Sequence, residues 1–152
     1  MTVHDTFVLE RRYAATPAQV FEAFADPKLK RLWYAEGEHE ILHYDCDFSL
    51  GGAERVGYRL TMGPVAGAVI ESTGRHEVIL PDQRVVITAT MTFDGKPIST
   101  AVTTFELVPE GRETRLVFTH QAAFYEGADG PEMRRMGWEV MLDRLGGQFV
   151  PA

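Results

Sequence analysis

The sequence predicts an α+β domain in which a curved antiparallel β-sheet wraps around a long C-terminal α-helix, with two short helices after the first strand. Three observations lead to this class. Short runs rich in β-branched and aromatic residues occupy positions 40–124 and are separated by turn residues. A helix-start signal precedes them, and an apolar stripe with helical spacing follows them. We expect that stripe to lie on the concave face of the sheet, with a gap where the straight helix and the curved sheet diverge.

The first strand and the two short helices come at the N-terminus. Apolar and polar side chains alternate in "TFVLERRYAA", which indicates a strand with one largely apolar face. Thr16 is a good N-cap and Pro17 suits the first helical position, so "TPAQVFEAFADP" predicts a helix that ends at Asp26. The following "KLKRLWYA" predicts a second short helix.

Three hairpin-linked strands are the clearest part of the predicted sheet. Asp94-Gly95 separates "VVITATMTF" from "ISTAVTTFELV", and Pro109-Glu110-Gly111 separates that run from "TRLVFTHQAAF". The glycine-rich stretch 50–80 predicts strands that are short, bent or bulged. Alternation gives the inward sets of the three strands as Val85, Ile87, Ala89, Met91 and Phe93; Thr103, Phe105 and Leu107; and Leu116, Phe118 and His120.

The C-terminal helix is predicted from "MGWEVMLDRLGGQF". We expect Gly137 to allow a close approach of this helix to the sheet or to Trp33, and Gly146 with Gly147 to mark the helix end. The apolar stripe has the four-three-four spacing of one helix face and consists of Trp138, Leu142, Leu145 and Phe149, with Met141 beside it.

Length and composition limit the function classes. The 152 residues fit a single domain spanning 1–152. The formal charge is -7 and the acidic residues are spread along the chain, which disfavours nucleic acid and anionic membranes as partners. The single cysteine, Cys46, excludes an internal disulfide. With no membrane-spanning run and no signal core, we expect a soluble cytoplasmic protein without a membrane partner.

Five segments carry a family resemblance: "TPAQVFEAFADPKLKRLWYA", "FSLGGAERVGY", "ESTGRHEVILPDQRVVIT", "EGRETRLVFTHQAAF" and "GWEVMLDRLGGQF". Their order resembles the START/SRPBCC superfamily, and most of all its branch of homologues of the activator of the ninety-kilodalton heat-shock protein ATPase, together with polyketide-cyclase-like members. The resemblance covers almost the whole chain and implies a helix-grip fold with a cavity under the last helix. It implies no particular ligand, because the superfamily includes lipid carriers, cyclases, self-sacrificing resistance proteins and chaperone activators.

The first functional hypothesis is the binding of a small hydrophobic or aromatic molecule in that cavity. Trp33 and Tyr58, with Tyr34, are candidates for polar-tipped walls near its mouth. Thr103 and His120 add polar groups to the inward face. Core packing is the alternative role for the apolar candidates, which are Trp138, Met141, Leu142 and Leu145 on the helix and Met91, Phe93, Phe105 and Phe118 on the sheet.

The second hypothesis is an enzyme of the polyketide cyclase, dehydratase or hydrolase type. Its one catalytic candidate is His120, which alternation places on the inward face, where an imidazole can move a proton. A structural, hydrogen-bonded histidine is the competing interpretation.

Metal and cofactor sites are not predicted. His39, His43 and Asp45 share a strand face, but residues four apart on a strand lie about 13 Å from each other, too far for one ion to bind both histidines. Cys46 has no adjacent base and fits a small buried hydrophobe. Phosphate-binding, dinucleotide and zinc-peptidase motifs do not occur, so no cofactor is expected.

The third hypothesis is a protein-interaction role as a stress-linked chaperone partner, and it rests on the resemblance alone. A homodimer also stays open, since an exposed sheet edge or the segment "FYEGADGPEM" before the last helix could support one.

Overall fold

The computed structural model describes residues 1–150 and has the predicted α+β architecture, with one seven-stranded antiparallel sheet and a long C-terminal helix. The strands are β1 (Val3–Tyr13), β2 (Glu40–Cys46), β3 (Ala53–Arg59), β4 (Val69–Leu80), β5 (Arg84–Phe93), β6 (Lys96–Glu110) and β7 (Glu113–Phe124). The helices are α1 (Pro17–Ala25), α2 (Pro27–Lys30), which continues into a π-helical turn (Arg31–Ala35), and α3 (Pro131–Gly146), which continues into a 3-10 turn (Gly147–Phe149).

Strands β2 to β7 form a meander, and β1 pairs with β7 at one edge of the sheet. Its order is β1-β7-β6-β5-β4-β3-β2, so the chain crosses from one edge to the other through α1 and α2 and then returns strand by strand. Register shifts near His43, Val78 and Thr92 mark bulges, which bend the strands that contain them. Among residues 1–150, no helix is both long and apolar enough to cross a membrane.

The N-terminal helices begin as the sequence predicts. Thr16 and Gln19 form a capping box, in which each side chain accepts a hydrogen bond from the backbone N–H of the other residue. The segment after Pro27 forms α2 and the π-helical turn, and that turn buries Trp33, whose Nε1–H donates to the carbonyl of Ala23 over 2.9 Å. These helices therefore fill one end of the concave face.

The glycine-rich middle of the chain differs in part from the prediction. Bulges are present, but β4 is a 12-residue strand and not a short one. Gly74 does not interrupt it, because its lack of a side chain lets the neighbouring strand approach closely. A Cβ at this position would lie 3.0 Å from the carbonyl oxygen of Thr88.

The floor of the core comes from the predicted inward sets of β5, β6 and β7, of which Val85, Ile87, Phe105, Leu107, Leu116 and Phe118 are buried in it. Phe105 and Phe118 are fully buried beneath α3, and their rings lie 5.9 and 4.7 Å from the indole of Trp138, centroid to centroid. Leu142 and Leu145 continue the buried stripe of α3. The packed aromatic rings hold the helix on the sheet at this point.

One of the three glycines in α3 and at its end, Gly137, does not have the expected role. No heavy atom of residues 1–150 outside the helix's own backbone would lie within 4 Å of a Cβ at Gly137, so this glycine does not serve a close approach to the sheet or to Trp33. Gly146 does serve a close approach, since a Cβ there would lie 3.1 Å from the Tyr13 ring. The helix ends at Gly146 as predicted, but Gly147 has right-handed geometry (φ -62°) and leads into the 3-10 turn.

Candidate functional site

A cavity lies between the N-terminal half of α3 and strands β3 to β6. Its outer chamber has a volume of about 450 Å³ and is lined mainly by apolar side chains. Helix α3 supplies Met133, Gly137, Trp138 and Met141, and the sheet supplies residues that include Val56, Tyr58, Ile70, Met91, Phe93 and Ile98. The cavity lies where α3 and the curved sheet diverge, along the part of the helix from Met133 to Met141.

A smaller inner chamber of about 50 Å³ adjoins the outer one. The two chambers share Tyr34, Ser72, Met91, Arg134 and Trp138 as wall residues. The inner wall carries more polar side chains than the outer one, and its further polar members are Lys30, Glu54, Ser99, Thr103 and His120. Apolar surface predominates in both chambers, and the buried polar side chains are concentrated at the inner end.

Eight of the twelve predicted site residues lie on this wall, namely Tyr58, Met91, Phe93, Thr103, Phe105, His120, Trp138 and Met141. The other four, Trp33, Phe118, Leu142 and Leu145, do not line either chamber and are buried in the core. The reason is that α3 closes onto the sheet and the N-terminal helices beyond Met141. The apolar stripe thus begins as cavity wall and continues as ordinary core.

His120 lies on the wall of the inner chamber and is 3% exposed. Its Nδ1 is 3.1 Å from the hydroxyl oxygen of Thr103, while its Nε2 has no hydrogen-bond partner among the described residues. Burial, with a smaller contribution from the positive charge of Arg134, lowers the pKa of His120 to about 4. The imidazole is therefore neutral at pH 7 and has one unsatisfied nitrogen.

Arg134 is a buried cavity residue that the sequence analysis missed. Its Nε and Nη2 each donate to Asp129 over 2.8 Å, and Nη2 also donates to Ser99 over 2.9 Å. The guanidinium carbon lies 5.0 Å from the centre of the Phe124 ring. The helical spacing could have indicated its position, because Arg134 precedes Trp138 by four residues and so lies on the same helix face.

A buried ion pair between Lys30 and Glu54 forms another part of the inner wall, and it was also missed. Their side chains are 2% and 4% exposed, and Nζ lies 3.0 Å from Oε2. The hydroxyl of Tyr44 donates to Oε2 over 2.9 Å, and the Lys30 ammonium lies 4.6 Å from the centre of the Tyr34 ring. Burial by itself raises the pKa of Glu54, but the charge and hydrogen bonds of Lys30 outweigh it and leave the pKa below its usual value.

The histidines of "HEILHYDC" do not converge. His39 stacks on Tyr58 with ring centroids 5.8 Å apart, and His43 Nε2 lies 3.3 Å from a carboxylate oxygen of Glu71. Asp45 is exposed. Gly57 makes room for the His43 ring, since a side chain at 57 would collide with it.

The comparisons with known proteins agree with this architecture. A family model described as "Activator of Hsp90 ATPase homolog 1-like protein" matches residues 14–149. A protein from Rhizobium loti is 34% identical, with 97% of this chain and 99% of that chain covered and a TM-score of 0.86. An uncharacterised protein from Rhizobium leguminosarum is 32% identical, with 96% and 94% covered and a TM-score of 0.86.

A protein from Chromobacterium violaceum is 25% identical, with 97% of this chain and 99% of that chain covered and a TM-score of 0.72. The comparison with curated proteins gives no match. The family model covers most of the chain, and the resemblance noted in the sequence is thereby confirmed. This protein belongs to the family of Activator of Hsp90 ATPase homolog 1-like proteins.

Proposed function

We propose that this protein binds a small uncharged molecule, with an apolar or aromatic body and a hydrogen-bonding group at one end, in the cavity beneath α3. The observation that supports this most is the arrangement of the cavity, in which a wide, largely apolar outer chamber adjoins a narrow inner one that carries a cluster of buried polar side chains. Sites for small molecules commonly combine an apolar wall with a few well-placed polar groups.

The outer chamber suits the apolar body of such a ligand. Its volume of about 450 Å³ lies within the range of about 300–1,000 Å³ that is usual for ligand pockets. Met91, Met133 and Met141 all lie on its wall. Because methionine side chains are flexible and polarisable, they can adapt to an irregular ligand surface.

The inner chamber suits an uncharged polar group. Lys30 is paired with Glu54 and Arg134 with Asp129, so each buried charge already has its counter-charge. A charged ligand would disturb this balance. The unpaired Nε2 of His120 remains available to hydrogen-bond a hydroxyl or carbonyl group, and a buried polar atom gains by acquiring such a partner.

The proposal can be tested with N-phenyl-1-naphthylamine, an uncharged dye that fluoresces in apolar surroundings. We expect saturable binding by the wild type, and at least about tenfold weaker binding by Gly137→Phe, because that side chain would enter open space at the cavity rim. Gly147→Phe is the matched control, since Gly147 also has open space around a Cβ but lies outside the cavity. Met141→Trp, which fills the same chamber, should weaken dye binding as Gly137→Phe does.

The dye 8-anilinonaphthalene-1-sulfonate has the same rings and an added negative charge, so we expect it to bind more weakly than the uncharged dye. Equal loss of binding in Gly137→Phe and Gly147→Phe, or no loss in either, would place the dye outside the cavity. Tighter binding of the sulfonate would contradict the uncharged class of ligand.

The chaperone role stays a prediction that derives from the family description. A pull-down of a purified ninety-kilodalton heat-shock protein at low salt tests it separately. We expect cavity variants such as Gly137→Phe to leave any such interaction unchanged, because the cavity lies beneath α3 and not on an outer face.

A further inference from the structure

We propose that Cys46, Glu54 and His76 form a binding site for one divalent cation of the zinc class. One ligand atom from each of these side chains lies within 4.8 Å of the other two. A thiolate, a carboxylate and an imidazole are donors that Zn²⁺ prefers. Three ligands from the protein would leave a fourth position for water or another small donor.

The site is held by three adjacent strands. Cys46 ends β2 and lies directly opposite Glu54 on β3, while His76 lies on β4 beside the bulge before Val78. Zinc bond lengths of about 2.0–2.3 Å and tetrahedral angles put ligand atoms about 3.5 Å apart. Side-chain rotations that move atoms by about 1 Å would therefore close the group around an ion.

His76 already has the hydrogen bonding of a metal ligand. Its Nδ1 lies 2.9 Å from the carbonyl oxygen of Gly52, and a carbonyl can only accept, so Nδ1 carries the proton. The lone pair is then on Nε2, which has no hydrogen-bond partner within residues 1–150, in a side chain with no exposed surface. A backbone carbonyl that orients the ring in this way is the usual outer contact of a metal-bound histidine.

Lys30 competes with the cation for the carboxylate of Glu54. Its ammonium lies 3.0 Å from Glu54 and holds the carboxylate through its charge. A Zn²⁺ ion would be balanced by the thiolate and the carboxylate, which makes the ammonium an excess positive charge beside the site. Removal of the Lys30 charge is therefore expected to strengthen cation binding, although it weakens the metal-free protein.

Cobalt(II) and zinc(II) titrations of the full chain test the site, after treatment with a chelator and under reducing conditions. We expect one equivalent of Co²⁺ with a thiolate-to-metal charge-transfer band, and displacement of that Co²⁺ by Zn²⁺. Cys46→Ser should abolish the band, and His76→Gln should weaken binding by at least about 100-fold, beyond the usual effect of removing an outer contact. His43→Gln is the matched control, because this histidine also lies beside a glutamate but outside the group.

Several results would overturn the site. These are less than one equivalent bound by the wild type, a cobalt spectrum without the thiolate band, and equal affinity in the wild type, Cys46→Ser and His76→Gln. The Lys30→Met variant provides an independent readout. Zn²⁺ should raise its melting temperature more than that of the wild type, whereas a site that is only an ion pair would show no zinc-dependent difference.

Discussion

Lys30→Met is expected to lower the free energy of unfolding at pH 7 by about 3–5 kcal/mol, measured by urea denaturation without added metal. The reason is that Glu54 would remain ionisable in a buried position after losing its counter-charge. Tyr44 donates a single hydrogen bond to that carboxylate, which cannot replace the charge of Lys30.

A second variant separates lost charge from lost packing. Lys30→Met combined with Glu54→Gln removes both charges, so we expect it to recover a large part of the stability lost by Lys30→Met. Lys28→Met, which changes an exposed lysine on the same helix, should stay within about 0.5 kcal/mol of the wild type. A loss as small in Lys30→Met as in Lys28→Met would contradict the buried pair.

The same pair has a defined pH dependence. The pKa of Glu54 is lowered by folding, so the pair stabilises the protein above the ordinary glutamate pKa of about 4.3 and loses this effect as the pH falls through the folded pKa. Without Lys30, burial raises the pKa of Glu54, so the stability difference between the wild type and Lys30→Met should narrow as the pH falls toward about 4.3 and narrow further below it. A difference that stays constant down to pH 3 would show that charge is not its cause.

His120 is expected to make the protein less stable at mildly acidic pH. Its folded pKa of about 4 is below the ordinary value of about 6.5, so the unfolded chain binds more protons between these two values. Stability from this histidine is complete above pH 6.5 and declines as the pH falls toward 4. Between pH 7.5 and 5 the linkage relation gives a loss of about 2 kcal/mol.

The measurement is the unfolding free energy of the wild type and His120→Gln at the two pH values. We expect the wild type to lose about 2 kcal/mol more than the variant, because glutamine has no proton to gain. His4→Gln is the control, since it makes the same substitution at an exposed histidine outside the cavity. Parallel pH profiles for the wild type and His120→Gln would contradict a buried neutral imidazole.

This pKa also bears on the enzyme hypothesis. An imidazole with a pKa of about 4 is almost entirely unprotonated at pH 7, so it is a weak base and a poor source of protons there. It remains a good hydrogen-bond partner through Nε2. The shift therefore favours a role for His120 in holding a ligand over one in moving a proton.

Much of the fold could be predicted because its local signals agree with one another. The capping box at Thr16, the turn at Asp94-Gly95 and the alternation of apolar residues with threonine in β5 each follow from backbone geometry within a few residues. The inward direction of Phe105 and His120 follows from the same alternation. These features did not depend on distant parts of the chain.

The polar part of the site could not be predicted in the same way. Lys30 lies in a short basic segment that fits a solvated helix, and only the tertiary position of Glu54 explains its burial. Alternation does put Glu54 on the inward face with Val56. The burial of a charged residue there can be explained only when its partner, Lys30, is known. Two residues 24 positions apart are brought together by the crossing of the chain, which local patterns do not specify.

The sequence also could not show which residues of the apolar stripe of α3 line the cavity and which are buried in the core. Trp138 and Leu142 are equivalent in spacing, yet Trp138 lines the cavity and Leu142 is buried in the core. The difference depends on where the curved sheet and the N-terminal helices meet the straight helix. That position is set by the packing of many residues, including Trp33 in the π-helical turn.

The cavity as a ligand site is tested most directly by NMR of the six methionine methyl groups during titration with N-phenyl-1-naphthylamine. Met91, Met133 and Met141 line the outer chamber, whereas Met1, Met62 and Met136 are exposed and lie outside it. We expect saturable shifts at the first three methyl groups and unchanged signals at the other three. Saturable shifts confined to Met62 or Met136, or dye binding without any shift at the three cavity methionines, would contradict binding beneath α3.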